Sequence, residues 1–592
     1  MGHFYCNDKA TQMLLVLLKE NKIKRIVASP GTGNMPFVAS VQQDSFFEVY
    51  SCVDERSAAY MACGMVWESG EPVVLSCTGA TASRNYFSAL TEAFYRKLPI
   101  LVVTASQRSC NEGQLITQYI NRTLQPTDTV CLSVQIPAIK DTEDIWDCNV
   151  KLNRCVLELF RQRQPVHINM EGRYDLKFDV KTIPATRVIK RFYQGNAFPV
   201  LPKSKRIAFV VGAHVPFDKE LTEIMDAFCQ RYNSVVFCDH TSGYYGQYRV
   251  LASIAAAQEY YNSPIFDNID ILIHMGEQLG DLYLFNALKK VKEVWRVHFD
   301  GELRDTYRKL KYVFQMNEKE FLLSYCKDDC GQKQKNSYLE WCKSEVKSII
   351  ENIPPLPLSN IWVAQKASLR LPQNAVIYFS ILNTLRSWNF FELKNHNASF
   401  SNVGGFGIDG GISTLLGASQ IHKNKLYYCV AGDLQFFYDM NACGNRHVGN
   451  NVRILLINNG KGSEFRLYTH GAQQMLQEDA DKYIAASGHF GNQSAKLVKN
   501  YMEALGFLYL SAHTKEEFKE SSTTFFDENI GEQPIIFEVF TNSDLESEAL
   551  KRMRNIKKDI GNMLKNETKA KVKKVVKAGM ENVGVKVSRP LK

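Results

Sequence analysis

The stretch "VDERSAAYMACGMVWESGEPVVLSCTGATASRNYFSALTEAFYRKLPILVVTAS" (residues 53–106) alternates helical segments with short apolar runs. The runs "PVVLSCTG" and "ILVVTAS" are continuously apolar and show no alternation of polar and apolar residues. Runs of this kind, spaced by helices, are typical of parallel strands that are covered on both faces. The stretch therefore predicts an α/β fold with a doubly wound parallel sheet.

The same unit recurs along the chain. Further β-rich runs, each followed by a Gly or polar turn and a helical pattern, are "IKRIVASPG", "PVHINM", "RIAFVVGAH", "SVVFCDHTSG", "IDILIHMGE", "VWRVHFDGE", "AVIYFS", "LYYCVAGD", "VRILLINNG" and "PIIFEVF". These are too many strands for one sheet. Composition shifts at "KTIPATRVIKR" and "ENIPPLPLSN" predict linkers. We expect three doubly wound domains at 1–185, 186–354 and 355–545, followed by a tail at 546–592.

Length and composition limit the class of protein. A chain of 592 residues that is 45% hydrophobic can bury several cores. It contains no apolar run of 18 residues, and its N-terminus lacks the basic-then-apolar plan of a signal peptide, so we expect a cytoplasmic protein. The 15 cysteines form no CxxC pair and no zinc-like spacing, which favours reduced, mostly buried thiols.

The positive charge is concentrated at the C-terminus. Residues 551–592 carry 14 Lys and Arg against three acidic residues, a net charge of +11, whereas the whole chain carries +9. The rest of the chain is therefore close to neutral, and we expect no nucleic-acid partner.

The tail also has an apolar pattern. Leu550, Met553, Ile556, Ile560 and Met563 recur at spacings of three and four residues, and a second such series follows at 572–579. We expect two amphipathic helices. Two interpretations remain open. The apolar stripes can pack on the protein or on a partner subunit, or the basic face can make a weak contact with an acidic membrane surface or an anionic carrier.

Candidate ligand-binding residues lie just after strands, because open parallel sheets bind ligands beyond the carboxyl ends of their strands. "SPGTGN" (residues 29–34) is one such segment, and it can cradle an anion or simply make a tight turn. The second candidate is a pair. Gly432 and Asp433 end one strand, and Asn459 ends the next, 26 residues after Asp433. Oxygen ligands that converge at one sheet edge suit a hard cation such as Mg²⁺, to which a diphosphate adds further oxygens.

With these motifs the chain resembles the thiamine-diphosphate enzymes, whose signature is Gly-Asp followed about 25 to 30 residues later by Asn-Asn. Within that superfamily it resembles the 2-succinyl-5-enolpyruvyl-6-hydroxy-3-cyclohexene-1-carboxylate synthases of menaquinone biosynthesis. "SPGTGNMP" is similar to their SPGSR turn, "DERSAAYMACGMVWESGEPV" to their DERG segment, and "SNVGGFGIDGGIST" to their SNRG…GIDG segment. The resemblance covers all but the tail. It implies pyrimidine-binding, central and diphosphate-binding domains, with thiamine diphosphate and Mg²⁺ as cofactors.

The resemblance implies that Glu55 activates the cofactor. Its carboxylate would hydrogen-bond the aminopyrimidine ring and favour the imino form, whose exocyclic nitrogen removes the proton from thiazolium C2. Glu55 follows the apolar run "FFEVYSCV", separated from it only by Asp54, and precedes a small-residue helix, which places a carboxylate near a strand end. The residues alone allow another interpretation, a carboxylate that interacts with the helix dipole, as Asp54 could.

The resemblance assigns further positions. Asp433, the side chain of Asn459 and the main-chain carbonyl of Lys461 would bind the metal. Ile408 would hold the cofactor in its bent form, and the alternative interpretation of this apolar residue is core packing. The remaining cofactor positions are Ser380, Gly432, Leu434 and Phe465, and Gln118 matches a catalytic position near the reacting groups.

The substrate-binding positions depart from the family pattern. The arginines of the SPGSR and SNRG segments are replaced by Gly33 and Val403, and a third by Thr384. Bidentate arginine contacts to carboxylates are hard to replace. Glu464 stands where the family has an apolar residue, and we expect it to repel an anionic substrate or to hydrogen-bond hydroxyls.

Asn34 and Gln118 complete the substrate positions. Arg108 and Arg386 lie nearby in sequence, but neither occupies a position that matches a family arginine. We therefore expect the cofactor chemistry to be kept and the substrate pair to differ from 2-oxoglutarate with isochorismate.

Three functions follow from these motifs. The first is decarboxylation of a 2-oxo acid, with transfer of the acyl carbanion to an unidentified acceptor. The second is a plain decarboxylase or lyase that protonates the intermediate, for which the candidate acids are His447, His470 and His489. The third is a non-catalytic assembly protein that retains the fold. The resemblance also implies a homodimer or homotetramer whose active sites lie between subunits, with Glu55 and Asp433 of one site coming from different chains.

Overall fold

The structure is a computed structural model, and it describes residues 4–106, 109–171, 176–326, 336–488, 494 and 496–559. The chain forms two compact units. Unit 1 comprises Met1–Asn196 and Phe299–Gln315, and unit 2 comprises Ala197–His298 and Met316–Lys592.

Residues 4–196 form the larger part of unit 1. Their strands and helices are, in order, β1 Tyr5–Cys6, α1 Lys9–Glu20, β2 Arg25–Ala28, α2 Met35–Val41, β3 Glu48–Ser51, α3 Glu55–Ser69, β4 Val73–Cys77, α4 Thr81–Asn85, α5 Phe87–Tyr95, β5 Ile100–Ser106, β6 Leu132–Ile136, α6 Thr142–Gln162, β7 Val166–Glu171, β8 Phe178–Val180 and β9 Lys190–Tyr193, with a 3₁₀ turn at Ser109–Asn111.

Unit 1 contains a six-stranded parallel sheet. Its strand order is β3-β2-β4-β5-β7-β6, and apolar clusters cover both of its faces. One cluster packs α1 and α6 on the sheet, and the other packs α3 and α5. Strands β4 and β7 are almost wholly buried, which explains their continuous apolar runs. The predicted doubly wound α/β class is confirmed.

The following segment, 207–315, contains the strands and helices β10 Ile207–Val211, α7 Lys219–Tyr232, β11 Val235–Cys238, β12 Arg249–Leu251, α8 Ser253–Ala256, β13 Ile271–Met275, α9 Leu282–Leu288, β14 Glu293–Val297 and β15 Leu310–Gln315, with a 3₁₀ turn at Pro264–Phe266. In unit 2, β12-β11-β10-β13-β14 pair in parallel. Strand β15 belongs to unit 1, where it pairs in parallel with β9.

The rest of unit 2 holds a second parallel sheet. Its elements are α10 Glu318–Cys326, α11 Ser337–Ile350, α12 Asn360–Ala367, β16 Val376–Phe379, α13 Asn383–Trp388, β17 Ser399–Phe400, α14 Gly411–Ser419, β18 Tyr427–Gly432, α15 Asp433–Asp439, β19 Val452–Asn458, α16 Gly471–Leu476, α17 Leu497–Ala504, β20 Leu508–Ala512, α18 Lys515–Phe525, β21 Ile535–Phe540 and α19 Ser543–Arg554, with 3₁₀ turns at Met440–Gly444, Ser463–Arg466 and Gln477–Asp481. The sheet order is β17-β16-β18-β19-β21-β20. The domain boundaries expected from the linkers stay a prediction.

The C-terminal helix is shorter than its apolar pattern predicts. Helix α19 ends at Arg554, and the chain then runs beside residues 258–260, where the Asp559 N–H donates to the Tyr260 carbonyl. Leu550 and Met553 are buried, in agreement with an apolar stripe that packs on the protein. The predicted helix is present up to Arg554 but absent at residues 555–559, where backbone hydrogen bonds to residues 259 and 260 replace it. Residues 560–592, with Ile560, Met563 and the second apolar series, lie outside the described residues.

Two expectations from composition can be compared with the structure. The 14 cysteines among the described residues are free thiols, and Cys110 is the one that is exposed. No helix in the described part of the chain is long and apolar enough to span a membrane.

A polar network is buried in the sheet of unit 1. The His167 ring lies between two hydroxyls, with Nε2 2.7 Å from Thr104 Oγ1 and Nδ1 2.8 Å from Ser133 Oγ. Burial, reinforced by the positive charge of Arg122, lowers the pKa of His167 to about 3. The ring is therefore neutral at physiological pH, and both of its nitrogens are hydrogen-bonded.

His167 should make the protein sensitive to mild acid. Below pH 6.5 the unfolded chain binds a proton at this histidine that the folded protein does not bind, so stability is lost as the pH falls from about 6.5 toward 3. Between pH 7 and pH 5 the loss from this group is about 2 kcal/mol. Thermal midpoints at pH 7, 6 and 5 should fall less steeply in His167→Gln than in the wild type. The exposed His447→Gln is the control, and a wild-type pH slope in His167→Gln would contradict the prediction.

Candidate active site

Glu55 is the first residue of α3, just beyond strand β3, as its position in the sequence predicts. The neighbouring Asp54 caps the helix and accepts hydrogen bonds from the backbone N–H groups of Arg56 and Ser57. Glu55 is half-buried, and its carboxylate accepts one hydrogen bond, of 3.3 Å, from Asn85 Nδ2. Because Asp54 performs the capping, the Glu55 carboxylate is left available for another partner.

The Gly-rich segment 29–34 packs tightly against the turn that follows β4. The Gly33 N–H donates to Thr78 Oγ1 at 3.1 Å. A Cβ atom on Gly31 would lie 2.6 Å from Thr78 Cβ, and one on Gly33 would lie 2.5 Å from Thr78 Oγ1. The buried Asn34 donates to the Ser29 carbonyl and to Ser76 Oγ. The contacts favour the tight-turn interpretation. Thr78 also occupies the space into which the first atoms of an arginine side chain at position 33 would extend.

Gln118 lies on the loop between β5 and β6. It is exposed to solvent, and its backbone has a φ angle of 70°. Arg108, in the same loop, lies outside the described residues.

Sequence reasoning missed Arg122, which follows Gln118 in this loop. Its side chain is buried, donates to Asn169 Oδ1 at 2.6 Å, and packs so closely on Gly79 that a Cβ there would collide with it. Burial lowers the pKa of Arg122, and it forms no ion pair with the residues that the structure describes. Its surrounding segment has no periodic pattern, so the sequence offers no signal for it.

In unit 2, Asp433 lies at the junction of β18 and α15. One carboxylate oxygen accepts the Gly460 N–H at 2.7 Å, and the other accepts the Leu434 N–H at 2.8 Å. Gly432, the preceding residue, is the N-cap of α15. Burial raises the pKa of Asp433 to about 6, although these backbone donors act in the opposite direction. Among the described residues, this buried carboxylate is stabilised by backbone N–H groups and by no positively charged side chain. A bound cation would therefore stabilise its charge further.

Asn459 brings a second oxygen to the same sheet edge. Strands β18 and β19 are neighbours in register, so the residues that follow them meet. The Asn459 Nδ2 group donates to Ser463 Oγ at 3.2 Å, whereas its Oδ1 oxygen is buried and accepts no hydrogen bond from the described residues. A buried amide oxygen without a partner among the described residues, on a residue that follows the strand next to that of Asp433, fits the ligand set of a hard cation.

The side chain of Lys461 is engaged in an ion pair. Its ammonium forms an ion pair of 2.6 Å with Asp481, which leaves the main-chain carbonyl as the group it could offer a metal. The described residues contain no group of three or more His, Cys, Asp and Glu side chains that could hold a metal. Any metal at this edge would therefore depend on one carboxylate, the Asn459 amide and main-chain oxygen.

The other predicted cofactor residues have distinct environments. Leu434 and Phe465 both lie against Gly462, at 3.3 and 3.1 Å from the position of its missing Cβ. Ser380, just after β16, is buried, and its hydroxyl has no hydrogen-bond partner among the described residues. Ile408 is half-buried in the loop between β17 and α14.

Two of the positions at which the resemblance expects an arginine, Thr384 and Val403, are buried, whereas Gly33 is half-buried. Thr384 Oγ1 accepts a hydrogen bond from Asn360 Nδ2 at 3.2 Å, and Val403 packs near Gly280. Glu464 requires a correction. Arg386 donates to its carboxylate at 2.7 Å, so Glu464 does not present an unpaired negative charge that would repel an anion. Sequence reasoning set Arg386 aside because it matched no family position, and only the fold brings it to Glu464.

The parallel sheets and the oxygen-bearing residues at one strand edge are compatible with the thiamine-diphosphate-dependent enzymes, the class to which the chain is similar. Residues 8–127 match the family described as "Thiamine pyrophosphate enzyme, N-terminal TPP binding domain". The chain is also similar over most of its length to curated enzymes named 2-succinyl-5-enolpyruvyl-6-hydroxy-3-cyclohexene-1-carboxylate synthase.

Three of these relatives show the extent of the likeness. The Bacteroides fragilis protein is 28% identical over 570 residues, which is 92% of this chain and 98% of the relative. The Bacteroides thetaiotaomicron protein is 29% identical over 577 residues, with the same coverage. The Flavobacterium johnsoniae protein is 26% identical over 560 residues, which is 90% of this chain and 95% of the relative. The resemblance inferred from the motifs is confirmed.

Proposed function

We propose that the protein is a thiamine-diphosphate- and Mg²⁺-dependent carboligase, which decarboxylates a 2-oxo acid and transfers the resulting acyl group to an acceptor. The proposal depends on two observations, that Asp433 and Asn459 follow strands paired in register at one sheet edge, and that Asn459 Oδ1 is buried and accepts no hydrogen bond from the described residues. Together with the main-chain carbonyl of Lys461, these two residues would hold Mg²⁺ and, through it, the diphosphate. The bound cofactor supplies an electron sink for the bond-breaking step.

Glu55 is proposed as the group that activates the cofactor. It is half-buried shortly after the end of a strand, and the one hydrogen bond that its carboxylate accepts from the described residues is a long one from Asn85. Leu434, Phe465, Ile408 and Ser380 would contact the cofactor, and Gln118 would act near the reacting groups. In the superfamily that the chain resembles, the pyrimidine and diphosphate domains of one site come from different subunits. We therefore propose a homodimer or homotetramer in which Glu55 and Asp433 of one site belong to different chains.

The proposed substrate pair differs from the one implied by the relatives' name. No arginine stands at Gly33, Thr384 or Val403, and Thr78 closes the space at Gly33. A synthase that makes a carboxylate-rich product would need cationic groups to bind it. The ion pair of Arg386 with Glu464 makes that part of the site electrically neutral. These features support a less anionic donor or acceptor.

A plain decarboxylase is the second candidate function, and the surroundings of the His470 ring favour it. Its ring meets Phe465 edge-on, with 5.2 Å between ring centroids. The Nδ1 atom accepts the Ala472 N–H, so the ring would carry a transferable proton on Nε2. His447 is exposed, and His489 lies outside the described residues.

Product analysis separates the two candidates. The purified protein with thiamine diphosphate and Mg²⁺ should release CO₂ from at least one member of a panel of 2-oxo acids. With an aldehyde or conjugated alkene present, a carboligase forms a new C–C bond, whereas a plain decarboxylase yields only the aldehyde. If the protein binds the cofactor but releases CO₂ from none of the acids, the remaining candidate is the non-catalytic assembly protein.

Glu55→Gln should bind thiamine diphosphate but exchange its C2 proton much more slowly than the wild type. A neutral amide cannot stabilise the protonated ring nitrogen as a carboxylate does, and each 1.4 kcal/mol added to the barrier slows exchange about tenfold. NMR of quenched samples after a D₂O pulse measures the exchange rate. Asp54→Asn, which keeps a capping side chain on the same helix, should exchange normally. A near-wild-type rate in Glu55→Gln would remove this residue from the role.

Asp433→Ala should lose Mg²⁺-dependent binding of thiamine diphosphate, because the diphosphate would face the sheet edge without its bridging cation. Isothermal titration calorimetry with and without Mg²⁺ measures the affinity. The control is Asp439→Ala, which removes a buried carboxylate at the other end of α15, where it binds Ser413. Undiminished cofactor affinity in Asp433→Ala would place the metal elsewhere.

A further inference from the structure

The side-chain amide of Asn459 donates a hydrogen bond to the Ser463 hydroxyl, which also accepts one from a second amide. Ser463 Oγ accepts a hydrogen bond from Asn459 Nδ2 at 3.2 Å and another from Asn383 Nδ2 at 3.1 Å. Ser463 is buried and begins the 3₁₀ turn Ser463–Arg466. Because the NH₂ group of Asn459 is fixed by Ser463, its oxygen must point the other way, where it remains unpartnered.

Arg386 connects this amide pair to a carboxylate. Its Nη1 atom donates to Asn383 Oδ1 at 3.3 Å and to Glu464 Oε2 at 2.7 Å. Glu464 directly follows Ser463, so the hydrogen bonds form a closed loop between helix α13 and the 3₁₀ turn. Both charged side chains are largely buried, with 15% and 22% of their side-chain surfaces exposed. A buried ion pair of this kind contributes specificity of geometry more readily than net stability.

The orientation of an asparagine amide matters at a cation. The oxygen end is a ligand, whereas the NH₂ end would direct partial positive charge at the metal. Residues that orient metal ligands by hydrogen bonds commonly change metal affinity by about 10- to 100-fold when they are removed.

We propose that Asn383, Arg386 and Glu464 are positioning residues that act through Ser463 to hold the Asn459 amide with its oxygen toward the metal. The inference rests on the proposed function, because it requires a cation at Asp433 and Asn459. It also gives Glu464 a role other than contact with substrate. The carboxylate fixes Arg386, and Arg386 fixes the amide of Asn383.

Binding of Mn²⁺ tests the inference without any measurement of activity. The free Mn²⁺ signal in electron paramagnetic resonance is followed as the full-length protein is titrated with MnCl₂ at saturating thiamine diphosphate. Asn383→Leu and Arg386→Met should each weaken Mn²⁺ binding about tenfold or more. Arg386→Lys should recover part of the loss, because an ammonium can still pair with Glu464. Glu464→Gln should have a smaller effect than Arg386→Met, because its amide oxygen still accepts from Arg386.

A matched control distinguishes positioning from general stability. Arg249 is another buried arginine of unit 2, and it pairs with Glu392 at 3.1 Å. Arg249→Met should leave Mn²⁺ affinity unchanged, and circular dichroism melting of each metal-free variant reports any loss of fold. Ser463→Ala, which removes only one oxygen atom, serves as the second variant where a larger substitution fails to fold, and it should also bind Mn²⁺ more weakly.

Two results would overturn the inference. One is wild-type Mn²⁺ affinity in folded Asn383→Leu or Ser463→Ala. The other is an equal loss of affinity in Arg249→Met. Failure of the proposed function has a different signature. If Asp433→Ala binds Mn²⁺ as tightly as the wild type, the metal site itself is misplaced, whatever the positioning variants show.

Discussion

The parallel pairing of β18 with β19 is the constraint on which the candidate site depends. In-register strands end at the same edge, so Asp433 and Asn459, 26 residues apart in the chain, reach one point. That point is buried, and burial raises the pKa of Asp433 to about 6. A carboxylate in such a place is costly unless a cation or several donors stabilise its charge. The sheet geometry and the electrostatics therefore both support the proposal of an oxygen site for a hard cation.

Two largely buried arginines, one in each unit, have contrasting partners. The ion pair of Arg386 with Glu464 cancels a negative charge that would otherwise oppose an anionic substrate. In unit 1, the buried Arg122 is held by the neutral Asn169 and by its packing on Gly79. An arginine held in this way is a fixed source of positive potential, because its guanidinium stays protonated. Neither arginine occupies a position at which the resemblance expects one.

The Gly-rich turn shows how local packing can restrict which side chains a motif accepts. In "SPGTGN", Gly31 and Gly33 let the turn lie against Thr78, and any side chain there would displace it. Glycine thus stands at position 33, where the resemblance expects an arginine, and Thr78 fills the space beside it. The glycine at position 33 is therefore part of the local packing, which agrees with the proposal that the substrate pair is less anionic.

The sequence by itself determined the α/β class, the parallel strands and the location of candidate residues at strand ends. It could do so because buried parallel strands require continuous apolar runs, and a chain leaving such a strand must turn at the sheet edge. Glu55, Asp433 and Asn459 could all be identified as candidates in this way, since Asp433 and Asn459 directly follow their strands and Glu55 lies four residues after the end of β3. The tertiary structure alone decided that Arg386 pairs with Glu464, that Arg122 is buried, and that the C-terminal helix stops at Arg554. These outcomes depend on contacts between residues far apart in the chain, and no local pattern of hydrophobicity or spacing encodes such contacts.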